Sequence, residues 1–121
     1  MAFRKQIDEL VSKLTNLSEE GKVAWEETAA NYNAFRAPLG DFGVALTRGG
    51  TLLYGAYAIE ILDKTGRPID GAQAPYVGIE KDPAAHQDWK RLGQLHELAR
   101  RKALKADEAV SELLTSLGKI A

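Results

Sequence analysis

From Asp82 onward the chain carries no proline after Pro83 and only two glycines, Gly93 and Gly118. Asp82 followed by Pro83 reads as a helix start: the carboxylate can accept a first-turn N–H, and proline at the first helical position gives up a donor that would lack a partner there. Along this run Trp89, Leu92, His96, Ala99, Ala103, Ala106, Val110, Leu113, Leu117 and Ile120 alternate spacings of three and four, the pattern of a coiled-coil seam. An unbroken helix over 83–120 has about 37 residues and spans roughly 55 Å. A compact chain of this length has a radius of gyration of only about 14 Å, so one end must project or find cover.

The seam is large at its ends and small in the middle. In an antiparallel pair of identical helices centred between Ala103 and Ala106, Ala99 faces Val110, Leu92 faces Leu117 and Trp89 faces Ile120. The basic half of one helix then lies along the acidic half of the other, with Arg100 beside Asp107, although Lys90 meets Lys119. The expectation is a homodimer through an interface of Trp89, Leu92, His96, Ala99, Ala103, Ala106, Val110, Leu113 and Leu117, with a different protein as a further possible partner. The competing expectation is that a helix of the same chain covers the seam, with Leu95, Leu98, Leu104 and Leu114 forming a second apolar strip.

The remainder reads as α+β in one domain. Phe3, Ile7, Leu10, Leu14 and Leu17 fall on one face of an N-terminal helix, and Ser18 before Glu19 and Glu20 resembles an N-cap with acids in a following first turn. A second helix over about 19–35 is expected, or one bent helix through Gly21, making 1–36 helical. Pro38, Gly40 and Gly43 interrupt helical structure. Val44 to Arg48, a hairpin turn at Gly49-Gly50, Thr51 to Leu62, a turn at Asp63-Lys64-Thr65-Gly66, Arg67 to Ile69 and a short strand within Tyr76 to Glu80 then predict a three- or four-stranded antiparallel meander over 43–80. The aromatic and β-branched stretch 52–62 contains Gly55, which marks a bulge or a close approach. The long helix over 83–120 follows.

Composition narrows the function classes. Of 121 residues, 45% are hydrophobic and 27% charged, ordinary globular values. No window approaches the ~18 apolar residues of a membrane span, and the N-terminus runs into an amphipathic pattern, so a cytoplasmic protein is expected. There is no cysteine, which excludes disulfides, thiolate catalysis and cysteine-ligated metals. The net charge is −1, against a strongly basic nucleic-acid protein, but Lys90, Arg91, Arg100, Arg101, Lys102 and Lys105 could grip phosphates as a helical stripe. Glu97 and the following acids oppose that, and nucleic-acid binding is kept as the alternative.

Catalytic motifs are near-misses. His96-Glu97-Leu98-Ala99-Arg100 lacks the second histidine, four residues on, that a zinc-protease helix needs, and Arg100 would repel a cation there; no metal or other cofactor is expected. Asp63-Lys64-Thr65-Gly66 resembles the phosphorylated-aspartate motif of cation-pumping ATPases, and Asp41-Phe42-Gly43 resembles the magnesium loop of protein kinases. Both resemblances imply a large nucleotide-binding domain that 121 residues cannot supply, and lysine, threonine and glycine after an aspartate are common turn formers. His86 and His96 sit beside no nucleophile elbow, and Glu19-Glu20, Glu26-Glu27 and Asp107-Glu108 point to different parts of a surface. Tyr54, Tyr57 and Tyr76, with Trp25 and Tyr32, could line a ligand pocket, the second alternative. The leading reading is a non-enzymatic adaptor, inhibitor or regulator that presents a helix or sheet surface to a protein partner.

Overall fold

The computed structural model describes residues 3–28, 34–49 and 55–120. Helix α1 (Lys5–Glu19) buries Ile7, Val11, Leu14 and Ser18 along one side. It ends where Gly21 takes a φ of +74°, the left-handed conformation that glycine adopts without steric penalty. The chain then does not re-enter a helix. Trp25 folds back so that its indole Nε1 donates to Ser18 Oγ at 2.8 Å, with both side chains buried, and Glu26 and Glu27 become a short strand.

That strand, β1 (Glu26–Glu27), precedes β2 (Ala34–Leu39), β3 (Phe42–Gly49), β4 (Ala56–Leu62) and β5 (Pro68–Ala74). All pair antiparallel in the order β1-β2-β3-β4-β5. The α+β order of N-terminal helix, meander and C-terminal helices is as the sequence predicts, with five strands where three or four were expected. The helix expected over 19–35 is absent: Glu26 pairs with Arg36 and Glu27 with Phe35, while 29–33 lie outside the described residues. Cross-strand pairing and the burial of Trp25 override the local helical pattern there.

Other boundaries shift as well. Gly49 is still paired, with Ala56, so β3 runs through the first residue of the expected turn; Gly50 of that turn and Thr51 to Tyr54 of the expected strand lie outside the described residues. Segment 76–80 is no strand but a loop that turns with Lys81 N–H donating to the Gly78 carbonyl.

One face of the sheet carries the core. Phe35, Leu46 and Ile59 stand in register on three adjacent strands and are fully buried. Helix α2 (Pro83–Ala103) crosses this face and touches every strand, and α1 packs along α2. Its start is the expected one: Asp82 accepts the Ala85 N–H at 3.1 Å and Pro83 occupies the first turn. Arg91 fastens the two helices through an ion pair with Asp8 and hydrogen bonds to the Asp8 carbonyl and Ser12 Oγ.

The C-terminal rod is not continuous. Helix α2 closes at Leu104, Lys105 adopts φ +53°, and α3 (Ala106–Ile120) begins on a new axis. A left-handed lysine costs about 1–2 kcal/mol. The corner holds it with Leu104 N–H on the Arg100 carbonyl, Lys105 N–H on the Lys102 carbonyl, Ala109 N–H on the Lys105 carbonyl and an Arg101–Asp107 ion pair. The stretch 100–109 contains no glycine or proline, so the usual stop signals are missing from the sequence.

Gly93, in mid-helix, permits a close approach: a Cβ there would stand 2.9 Å from the Tyr57 ring. That ring is held between Trp89 and His96 at centroid distances of 6.4 and 5.5 Å. Alanine for glycine in a helix gains about 1 kcal/mol, whereas forcing a methyl into packed rings costs about 1–3 kcal/mol. We therefore expect Gly93→Ala to destabilise the protein in urea titrations and the same substitution to stabilise it in a Tyr57→Ala background. Stabilisation by Gly93→Ala in the otherwise unchanged chain would show that the ring does not occupy that space.

Candidate interaction surface on the C-terminal helices

The kink at Lys105 divides the expected interface into two unlike halves. Leu92, His96 and Ala99 are at most 4% exposed and belong to the chain's own core; Trp89 and Ala103 pack against that core from its margin. The Trp89 indole Nε1 donates to the Gly55 carbonyl at 2.6 Å. These five therefore form no outward face, and the pairing that set Leu92 against Leu117 and Trp89 against Ile120 of a second copy cannot form on this surface. The sheet has taken α2's apolar side.

Helix α3 is the opposite case. None of its residues is buried, and Val110, Leu113, Leu114, Leu117 and Ile120 are between 51% and 80% exposed. Spaced by three, one, three and three, they share one face of about three turns, with Ala106 leading into it. Asp107, Glu108, Ser111, Glu112, Thr115 and Lys119 occupy the remainder. A contiguous apolar stripe on an otherwise solvated helix marks an interaction surface.

The basic cluster is largely spoken for. Arg91 is bound by Asp8 and α1; Arg100 forks onto Glu97 with bonds of 2.9 and 2.6 Å; Arg101 pairs with Asp107. The Glu97 carboxylate is held low by its bonds to Arg100, and Arg100 is raised by the same bonds. Lys90, Lys102 and Lys105 remain exposed, a sparse set for tracking a phosphate backbone.

The tyrosines divide too. Tyr57 and Tyr76 both reach Trp89, Tyr76 at 4.9 Å edge-on, while His86 lies tilted beside Trp89 at 5.4 Å and His96 lies between Phe35 and Tyr57. This is a packed aromatic strip along α2, not a lined cavity. Trp25 is occupied with Ser18, and Tyr32 and Tyr54 lie outside the described residues. An open groove of about 230 Å³ sits elsewhere, between the β2–β3 and β4–β5 hairpins, lined by Arg36, Pro38, Phe42, Leu62 and Lys64 among others.

The short motifs resolve into turns. Asp63 Oδ1 accepts Thr65 N–H, Thr65 Oγ1–H and Arg67 N–H at 2.9, 2.6 and 3.0 Å, and Oδ2 accepts Arg67 Nε–H at 3.2 Å; both oxygens serve their own hairpin. Asp41 makes the two-residue β2–β3 turn with Gly40, whose φ is +67°, and Phe42 and Gly43 begin β3, paired with Leu39 and Pro38. Among the described residues no cluster of three or more histidine or acidic side chains could hold a metal ion, and no helix is long and apolar enough to cross a membrane. No family model, curated protein or solved structure matches the chain.

Five carboxylates are held below their ordinary range: Asp63 first by the Thr65 hydroxyl, Asp70 by the Gly71 N–H, Asp82 by the Ala85 N–H, Glu97 by Arg100 and Asp107 by Arg101. A carboxylate lowered in the folded state stabilises the fold above its unfolded pKa, and the contribution is lost as pH falls through the folded value. The melting temperature should therefore hold steady near neutrality and fall below about pH 4. The Asp63→Asn variant should start lower and lose less on acidification. A melting temperature that stays constant down to about pH 3 would contradict this.

Proposed function

We propose that the protein is a non-enzymatic interaction module that works through the apolar face of α3, and that its first partner is a second copy of itself. The observation that carries this reading is the stripe Val110, Leu113, Leu114, Leu117 and Ile120, more than half exposed on a helix that buries nothing in its own fold. Two such helices set antiparallel bring Val110 of one against Ile120 of the other and Leu113 against Leu117, with the two Leu114 side chains near the twofold axis. Ala109 and Ser116 flank the stripe and let the backbones approach. No charged residue intrudes on that flank, and the helix dipoles oppose each other favourably.

The outward side of α3 disfavours other classes of partner. Asp107, Glu108 and Glu112 against Lys119 give it a net negative charge, whereas helices that lie on anionic lipid carry lysine and arginine on that side, and nucleic acid makes the same demand. A cytoplasmic setting stays part of this proposal.

Fully burying one aliphatic side chain stabilises by ~1.5–3 kcal/mol. Ten half-exposed chains across a pair supply roughly 10 kcal/mol, set against an association cost of about 4–15 kcal/mol. A dimer through α3 alone is thus weak, with a dissociation constant of tens of micromolar or more.

Sedimentation equilibrium tests this directly. The expected result is a monomer–dimer equilibrium that disappears in the Leu113→Asp/Leu117→Asp variant while the urea midpoint moves by less than about 0.5 kcal/mol, because both positions are on the surface. A chain that stays monomeric up to about 1 mM removes self-association. A double variant that unfolds would show that α3 serves the monomer's own stability.

A further inference from the structure

Lys105 is the one non-glycine residue with positive φ among the described residues, and it lies in Arg100-Arg101-Lys102-Ala103-Leu104-Lys105-Ala106-Asp107-Glu108-Ala109. Nine of these ten residues are ordinary or strong helix formers and none is a breaker; aspartate, the weakest, would sit at the start of a helix in either form. The kinked form keeps its shape at the expense of a left-handed lysine, and among the described residues no residue of α3 is buried. A straight form exchanges that lysine for regular helical hydrogen bonds. It gives up the Arg101–Asp107 pair, since residues six apart point about 120° away from each other on a continuous helix, and it sets Arg101 and Lys105 four apart, a like-charge neighbour. Each form thus carries a small penalty that the other avoids.

We propose that Lys105 is a two-state joint, and that the straight form is the one that self-associates. Straightening places Ala106 in line with Val110, Leu113, Leu117 and Ile120, directly beyond Ala103 at the margin of the core, which extends the apolar stripe by a small residue over which a second helix can cross closely. The kinked form holds α3 aside from that line. The second half of this proposal rests on the self-association argued above; the first does not.

The chain contains no cysteine, so Gln94→Cys/Thr115→Cys, both exposed, accepts one spin label on each helix. In dilute solution the expected distance distribution has two maxima, the longer corresponding to a straight separation of about 32 Å between backbones. Adding Lys105→Gly relieves the left-handed strain and weakens the continuous helix together, and should reduce the long population roughly tenfold or more. It should weaken self-association by about the square of that factor, because both protomers of a pair must be straight. A single maximum that Lys105→Gly leaves unchanged overturns the joint. Unaltered self-association despite loss of the long distance overturns the assignment of the straight form. Absence of self-association in the unsubstituted chain defeats the reading of α3, while the two maxima still decide the joint.

Discussion

The structure depends on one side of α2 lying across five strands. Leu92, Leu95 and Ala99 are at most 1% exposed beneath the row of Phe35, Leu46 and Ile59, and the helix that presents them is fixed at its start by Asp82 and along its flank by Arg91 on α1. A sheet with helices on one side only must bury that side continuously, and α2 is the element that spans it. Even its polar members comply: His96 stands between the Phe35 and Tyr57 rings, and Asp88 accepts the Phe3 N–H.

The sheet in turn accounts for the division of the C-terminal stripe. The periodicity from Leu92 to Ile120 is uniform in the sequence, but the cover is not: Ala99 is the last fully buried position, Ala103 packs only partly against the core, and Leu104 is already half exposed. Beyond the edge of the sheet the same apolar pattern has no substrate within the chain. The stripe is therefore core over its first half and surface over its second, and a periodicity alone cannot say where that boundary falls, because it reports which side of a helix is apolar and not what lies opposite.

That distinction sets what was legible. The start of α2 at Asp82-Pro83, the apolar side of α1, the Asp63 turn and the antiparallel meander all arise from local chemistry, and each could be read from neighbouring residues. The break at Lys105 has no glycine or proline to announce it and follows from a balance of small terms at a corner. The strand at Glu26-Glu27 was hidden for a similar reason: two glutamates have poor strand propensity, and their pairing depends on Trp25 finding Ser18 and on β2 lying alongside. Of the candidate surface, Val110, Leu113 and Leu117 were visible in the sequence as members of a seam, whereas their separation from Leu92, His96 and Ala99 required the sheet.

An exposed apolar helix is an aggregation hazard unless its pairing is limited, and the composition of α3 limits it. The stripe is one side wide and about three turns long, Asp107, Glu108 and Glu112 keep the opposite side solvated, and both sheet edges are blunted: β1 is two residues of glutamate, while β5 begins with Pro68, and Asp70 pairs with Arg4. Short acidic edges and proline are the devices that discourage strand-to-strand stacking. With the edges closed and the arginines of α2 engaged by carboxylates, the outward apolar face of α3 is the most extensive unmatched feature among the described residues. Under the self-association proposed above, a weak, saturable contact through such a face suits an assembly that forms and dissolves with concentration better than one that is permanent.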